Sequence, residues 1–179
     1  MGYGYGPTDG TSYTYSLTGS YANADWGVYN AISNGGNEAG LWRTLTYNEW
    51  YYLRYSRTDA NSKYGVAQVA GVNGCVFLPD SWTLPSGLSF RSGANGNYAQ
   101  NTYSASEWSK MEANGAVFLP AAGGRGGTDV GSVGSYGLYW SSSAYDYYDA
   151  YYLYFDSYVV YTNYNNRNDG QSVRLVRGL

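Results

Sequence analysis

From Tyr151 to Tyr158 the chain alternates in a way that only an extended strand can use. Tyr151, Leu153 and Phe155 fall on one side, while Tyr152, Tyr154, Asp156 and Tyr158 fall mostly on the other. Successive side chains of a strand point to opposite faces of its sheet. The first set suits a core; the second, polar and aromatic, suits an exposed face. Aliphatic material for that core is scarce: Leu, Ile, Val and Phe number 12, 1, 12 and 4 of 179 residues, against 24 Tyr and 6 Trp. So low a content goes with disorder only when net charge is high, and here it is −3. The expectation is one folded domain, of a length common for single domains, with rings in its core and on its surface.

Several classes of function are excluded early. With no histidine, no Ser–His or Cys–His pair, imidazole base or His metal ligand can form. A single cysteine, Cys75, allows neither an intrachain disulfide nor a Cys-rich zinc site. No apolar run is long enough to span a membrane, so no membrane insertion by this chain is expected. The segment Met1–Gly6 lacks the regions of a secretory signal. With 8 Arg and 2 Lys against 13 acidic residues, the basic footprint needed for nucleic-acid binding is missing.

Residues 1–23, rich in Gly, Tyr, Ser and Thr, read as an arm or edge strand, and 24–179 as the domain. Two helix starts carry a capping box, Thr46 with Glu49 and Ser104 with Glu107. Trp50 and Leu53 form the apolar face of the first helix, which ends near Arg57. Trp108 and Met111 form that of the second, which stops at Asn114-Gly115. Asn73–Pro79 and Asn114–Pro120 echo each other at six of seven positions, and both read as short buried strands closed by Pro. Gly123–Gly127 reads as a flexible loop rather than a phosphate cradle, since no helix pattern follows it.

The composition shifts at Tyr139–Arg177, which holds ten of the 24 Tyr among Asp, Asn and Ser. Ser172–Arg177 reads as a closing strand, with Val173 and Leu175 on one face and Val176 on the other. Tyr161–Gly170 reads as a loop without an apolar pattern. Tyr offers a large, rigid contact area with few rotors to freeze, and Asn, Ser and Asp add adaptable hydrogen bonding, the chemistry of an antibody-like paratope. The preference of Tyr for strands accounts for the alternation but poorly for Tyr145–Asp149 or the Asn run at 163–166.

Three motifs then stand in order. They are Tyr139-Trp140-Ser141-Ser142-Ser143, then Ala150-Tyr151-x-Leu153-x-Phe155-x-Ser157-x-x-Val160, and Arg167-x-x-Gly170-x-Ser172-Val173-Arg174-Leu175-Val176-Arg177. Upstream lie Ala24-Asp25-Trp26-Gly27, Ala31–Asn37 and Trp42-Arg43-Thr44-Leu45-Thr46-x-x-Glu49-Trp50. Together they resemble the variable proteins of diversity-generating retroelements and their FISUMP-type relatives. The resemblance implies an α+β, C-type lectin-like fold of the formylglycine-generating-enzyme type, with two helices packed on short, mostly antiparallel strands and many loops. It also implies a variable region at about 139–177, in which Asn codons of a template are miscopied at adenines. The diversified, ligand-binding positions would be Tyr145, Asp146, Tyr147, Tyr148, Asp149, Tyr152, Tyr154, Asp156, Tyr158, Tyr161, Tyr164, Asn165, Asn166, Asn168 and Asp169, with Asn163 a further candidate. Trp140, Leu153, Phe155, Val173 and Leu175 would be the fixed core.

The implied function is a receptor or adhesion protein without cofactor or metal, gripping a macromolecular ligand, a protein or a surface glycan. Display on a cell surface or a virion is the expected setting. The alternative is a structural or adhesion domain of the same fold without diversification. Sulfatase-activating catalysis, which needs a cysteine pair, does not fit the lone Cys75. Neither Glu-Pro-Asn nor Trp-Asn-Asp, the calcium-binding sugar motifs of the wider fold, occurs. Asp146, Asp149, Asp156 and Asp169 could supply oxygen ligands, but solvated carboxylates explain them more simply. As an enzyme the chain would have to rely on Glu49 and Glu107, which the capping boxes already claim.

Overall fold

We describe the protein from a computed structural model, in residues 25–29, 31–33 and 35–178. The expected arm at 1–23 lies outside these residues. The architecture is mixed α+β. A one-turn helix α1 (Trp26–Tyr29) and strand β1 (Trp42–Thr44) lead to α2 (Tyr47–Tyr51), which continues as a π-helical turn (Tyr52–Ser56). Next come β2 (Tyr64–Val69), β3 (Val72–Phe77), β4 (Thr102–Tyr103) and α3 (Ala105–Ala113). The remaining strands are β5 (Val117–Pro120), β6 (Gly124–Gly126), β7 (Asp129–Gly131), β8 (Gly137–Ala144), β9 (Asp149–Phe155), β10 (Val160–Asn166) and β11 (Leu175–Arg177). Among the described residues no helix is long and apolar enough to cross a membrane.

Both capping boxes form. The Thr46 and Ser104 side chains accept from the backbone N–H of Glu49 and Glu107, whose carboxylates reach back to the cap N–H groups at 2.8 Å. At the far end of α3, Gly115 at φ +89° donates to Glu112 O (2.8 Å) and Ala116 donates to Met111 O (3.1 Å). This 6→1 and 5→2 pair satisfies the Met111 and Glu112 carbonyls, and only glycine takes that φ without strain.

The strands form a four-stranded sheet ordered β4-β2-β3-β5, a three-stranded sheet β10-β9-β8, and the pairs β1-β11 and β6-β7. Every strand pairing is antiparallel except β2–β4. The four-stranded sheet is buried on both faces. Tyr64, Val66, Cys75 and Phe77 face a cluster shared with Trp50, Tyr139, Leu153, Phe155 and Val160. Ala67, Val69, Val76 and Leu78 face a second cluster with Tyr103 and Met111, against which Trp108 and Phe118 pack. Burial on two sides explains why Cys75–Leu78 reads as an unbroken apolar run. The echoing segments pair with one another: Val76 lies opposite Phe118 and Phe77 opposite Val117. Since Val76 and Phe77 correspond to Val117 and Phe118 in the echo, this register makes the strand pair a local two-fold.

Three expectations are corrected. Most of Tyr161–Gly170 is not loop: β10 pairs with β9 from Val160↔Phe155 to Asn166↔Asp149. It needs no apolar alternation because it is an edge strand, and its Tyr and Thr suit a pleated surface. Gly123–Gly127 is not a loose loop either, since Gly124–Gly126 pairs with Asp129–Gly131 as a β-ribbon. Val173 and Leu175 are half-buried rather than core. The alternation of β11 turns Val176 inward instead, and Val176 packs against the first cluster. Trp140, Leu153 and Phe155 are buried as expected.

Candidate functional site: a tyrosine face on the outer sheet

The three-stranded sheet is joined to the scaffold through the Tyr139–Ser143 motif. Strand β8 pairs with β9 from Gly137↔Phe155 to Trp140↔Tyr152 and then carries a bulge before Ala144↔Ala150. In that bulge Ser142 N–H donates to Leu45 O (2.9 Å), and the Ser143 hydroxyl accepts from Tyr47 N–H (3.0 Å) at the start of α2. Bulges re-aim side chains in this way. On the other edge, Arg54 of the π-helical turn donates to Val160 O (2.7 Å), and its guanidinium lies 4.6 Å from the Tyr55 ring centroid and 4.2 Å from that of Tyr64. The helix therefore covers part of a sheet edge that would otherwise be open.

Two acidic side chains shape the loops. Asp146 Oδ1 accepts from the N–H groups of Tyr148 and Asp149, both at 2.8 Å, and Asp156 Oδ1 accepts from those of Tyr158 (2.7 Å) and Val159 (2.9 Å). Each bends its own backbone into an Asx-type turn. Arg167 holds the first loop from behind. It is 3 % exposed, and it donates through its backbone N–H to Tyr148 O (3.0 Å), through Nε to Asp149 O (3.0 Å) and through Nη2 to Asp146 O. Burial lowers its pKa, while Asp146 and Asp149 pull the other way. Asp146 and Asp156 thus hold backbone in place, although both stand among the positions expected to vary.

On this frame Tyr145, Tyr147, Tyr148, Tyr158 and Tyr164 are exposed by 45, 54, 55, 70 and 45 %, enough to offer rings to a ligand. Asp146 and Asn166 are exposed beside them. Tyr145 stacks flat on Tyr164 (3.8 Å between centroids) and edge-on against Tyr151 (5.2 Å). From Tyr151 the rings continue to Tyr47 (4.0 Å), Tyr51 (5.8 Å) and Tyr55 (4.9 Å), a ladder running from β10 onto the helix. The sequence reading passes over Tyr47, Tyr51 and Tyr55. Their spacing of i, i+4 and i+8 is the signal that places them on one helix face.

The remaining expected positions lie elsewhere. Tyr152 is 7 % exposed, which corrects its place on an open face: it packs edge-on against Trp140 (5.9 Å). Tyr154, half-buried, sits between Tyr136 (5.8 Å) and Tyr161 (4.9 Å) and donates to Asp156 Oδ2 (3.0 Å). The alternation is as expected, with Tyr151 and Leu153 on one face and Tyr152 and Tyr154 on the other, but the second face is largely covered. Asp149, Tyr161, Asn165, Asn168 and Asp169 are half-buried, with Tyr161 and Asn165 on this second face, opposite Tyr154 and Ala150. Burial raises the carboxyls of Asp149 and Asp169, and Asn165 Nδ2 donates to Asp169 Oδ2 (2.7 Å). Among the described residues no group of three or more His, Cys, Asp or Glu could hold a metal.

Glu49 and Glu107 are occupied by their helix caps. Glu49 also takes a two-pronged ion pair from Arg43 (2.5 and 2.8 Å), which with the Thr46 bonds holds its carboxyl down at about 2. Cys75 is buried, and burial pushes its thiol up. A family model described as a domain of unknown function (DUF8237) matches residues 94–176, just under half of the chain. No curated protein and no solved structure matches it.

Proposed function

We propose that the chain is a ligand-binding protein of the receptor or adhesion kind, built like the retroelement variable proteins it resembles on a C-type lectin-like scaffold. The observation that carries this reading is the group of exposed rings at Tyr145, Tyr147 and Tyr148, on a turn that Asp146 and Arg167 keep in shape, and at Tyr164 on β10 beside them, with Tyr158 exposed on the Asp156 turn at the other end of β9. Rigid, exposed tyrosines lose little entropy when a partner covers them. The ligand is a macromolecule, a protein or a surface glycan, and the chain has a binding rather than a catalytic role. The positions best suited to vary are those five tyrosines with Asn166, because exposed positions tolerate change within about ±0.5 kcal/mol.

Sequencing the DNA around codons 139–177 in many isolates tests this. The expected result is a near-copy of the stretch, differing only at adenines, beside a reverse-transcriptase gene, with the differences falling on the exposed positions. Invariant codons and no copy would make this an adhesion or structural domain without diversification.

A further inference from the structure

The β6–β7 ribbon has no role in the tyrosine face, yet it walls a cleft of about 340 Å³ with Tyr136 and the loop after β10. That volume lies at the small end of ligand-sized pockets, roughly 300–1,000 Å³. Two backbone bonds between Arg125 and Gly170, both 2.7 Å, clamp the ribbon to that loop and fix the cleft's width. Within the ribbon, Gly126 and Gly131 have nothing within 4 Å of where a Cβ would stand, and neither has a positive φ. Side chains at these two exposed positions would project into open space and not into neighbouring atoms.

The lining is mixed in charge and in bonding sense. Arg125 carries donors, Asp129 and Asp169 carry acceptors, and Asn165 carries both, its Nδ2 donating to Asp169 Oδ2 (2.7 Å). Gln171 carries both, and its Oε1 and Nε2 are shielded from solvent with no hydrogen-bond partner. Buried amide groups of this kind are normally met. An anion in this cleft would face two carboxylates, and a cation would face the Arg125 guanidinium. A hydroxyl group, which donates and accepts, suits such a set, and the Tyr136 ring offers a flat apolar surface for the C–H face of a sugar.

We propose that this cleft is a second binding site, separate from the tyrosine face, for a neutral polyhydroxylated ligand: a single saccharide unit. Saturation-transfer NMR on the full chain, with the methyl glycosides of glucose, galactose, mannose and N-acetylglucosamine as probes, tests it. At least one glycoside receives saturation at millimolar concentration. Asp129→Asn and Arg125→Ala, at exposed positions, each weaken its binding by about tenfold, equivalent to roughly 1.4 kcal/mol, with unchanged melting. Gly131→Leu, which fills the open space, abolishes it. Tyr147→Ala leaves it unchanged, so failure here is distinct from failure of the tyrosine face. The proposal is overturned if no glycoside receives saturation, or if the signal survives Asp129→Asn and Arg125→Ala in folded protein. Displacement of the glycoside by phosphate or calcium at equal concentration would also overturn the assignment to a neutral ligand.

Discussion

The four-stranded and three-stranded sheets use side chains in opposite ways. In the first, Gly74–Phe77 of β3 is buried throughout, and each side chain serves one of two packed clusters. In the second, only one face reaches the core, and β10 is nearly all half-buried or exposed. There the polar side chains build backbone: Asp146 and Asp156 close turns, and Arg167 ties one turn to the strand beyond. An exposed aromatic surface therefore has its own load of fixed residues, polar ones at the surface as well as apolar ones beneath it. Tolerance to change follows what a side chain is bonded to, and hydrophobicity is a poor guide to it.

Variants can break this contrast, beginning with the greatest effect. Phe155→Ala removes a fully buried ring shared by both sheets and is expected to cost about 3–5 kcal/mol in urea unfolding. A loss below about 1 kcal/mol would mean that the outer sheet contributes little to the common core. Arg167→Ala leaves the Asp146 carbonyl without its side-chain donor and removes one of the donors to the Asp149 carbonyl, which keeps Tyr145 N–H (3.0 Å), at a cost of roughly 1–3 kcal/mol. Faster amide exchange confined to 145–149 is the expected signature, and unchanged exchange there would contradict its anchoring role.

Asp146→Ala and Asp156→Ala are each expected to cost about 1 kcal/mol, with Asn at the same positions restoring most of it in thermal melts. If alanine is neutral at both, they rejoin the positions free to vary. The Glu49 ion pair gives a smaller, pH-dependent effect. Its folded carboxyl lies at about 2, below the unfolded value near ~4.3. The stabilisation is therefore fully present above the unfolded value and is lost as pH falls toward about 2. With the two side chains 45 % and 35 % exposed, solvent screening holds it to under about 1 kcal/mol. Glu49→Gln should flatten the stability difference between neutral and acidic pH that this residue contributes. Tyr147→Asn, on a 54 % exposed ring, is expected to shift stability by no more than about ±0.5 kcal/mol while weakening ligand capture, read as melting temperature and surface retention.

What could be read in advance follows the range of the forces involved. The capping boxes at Thr46 and Ser104, the stop at Gly115 and the alternation from Tyr151 to Phe155 rest on contacts a few residues apart, so local sequence by itself determined them. The tertiary structure decided the rest. Tyr152 is buried because Trp140 comes to lie beside it across the ladder, and β10 is a strand because β9 offers it a full register. Tyr47 joins the tyrosine ladder only because α2 docks where Tyr151 can stack on it, and Arg54 meets Val160 across the same junction. Pairings between positions so far apart in the chain form only when the whole core closes, since loop-closure entropy opposes each of them singly. The alternating pattern thus determined which side each ring takes, and the packing of α2 against one side and of Trp140 and Tyr136 against the other decided which rings stay open.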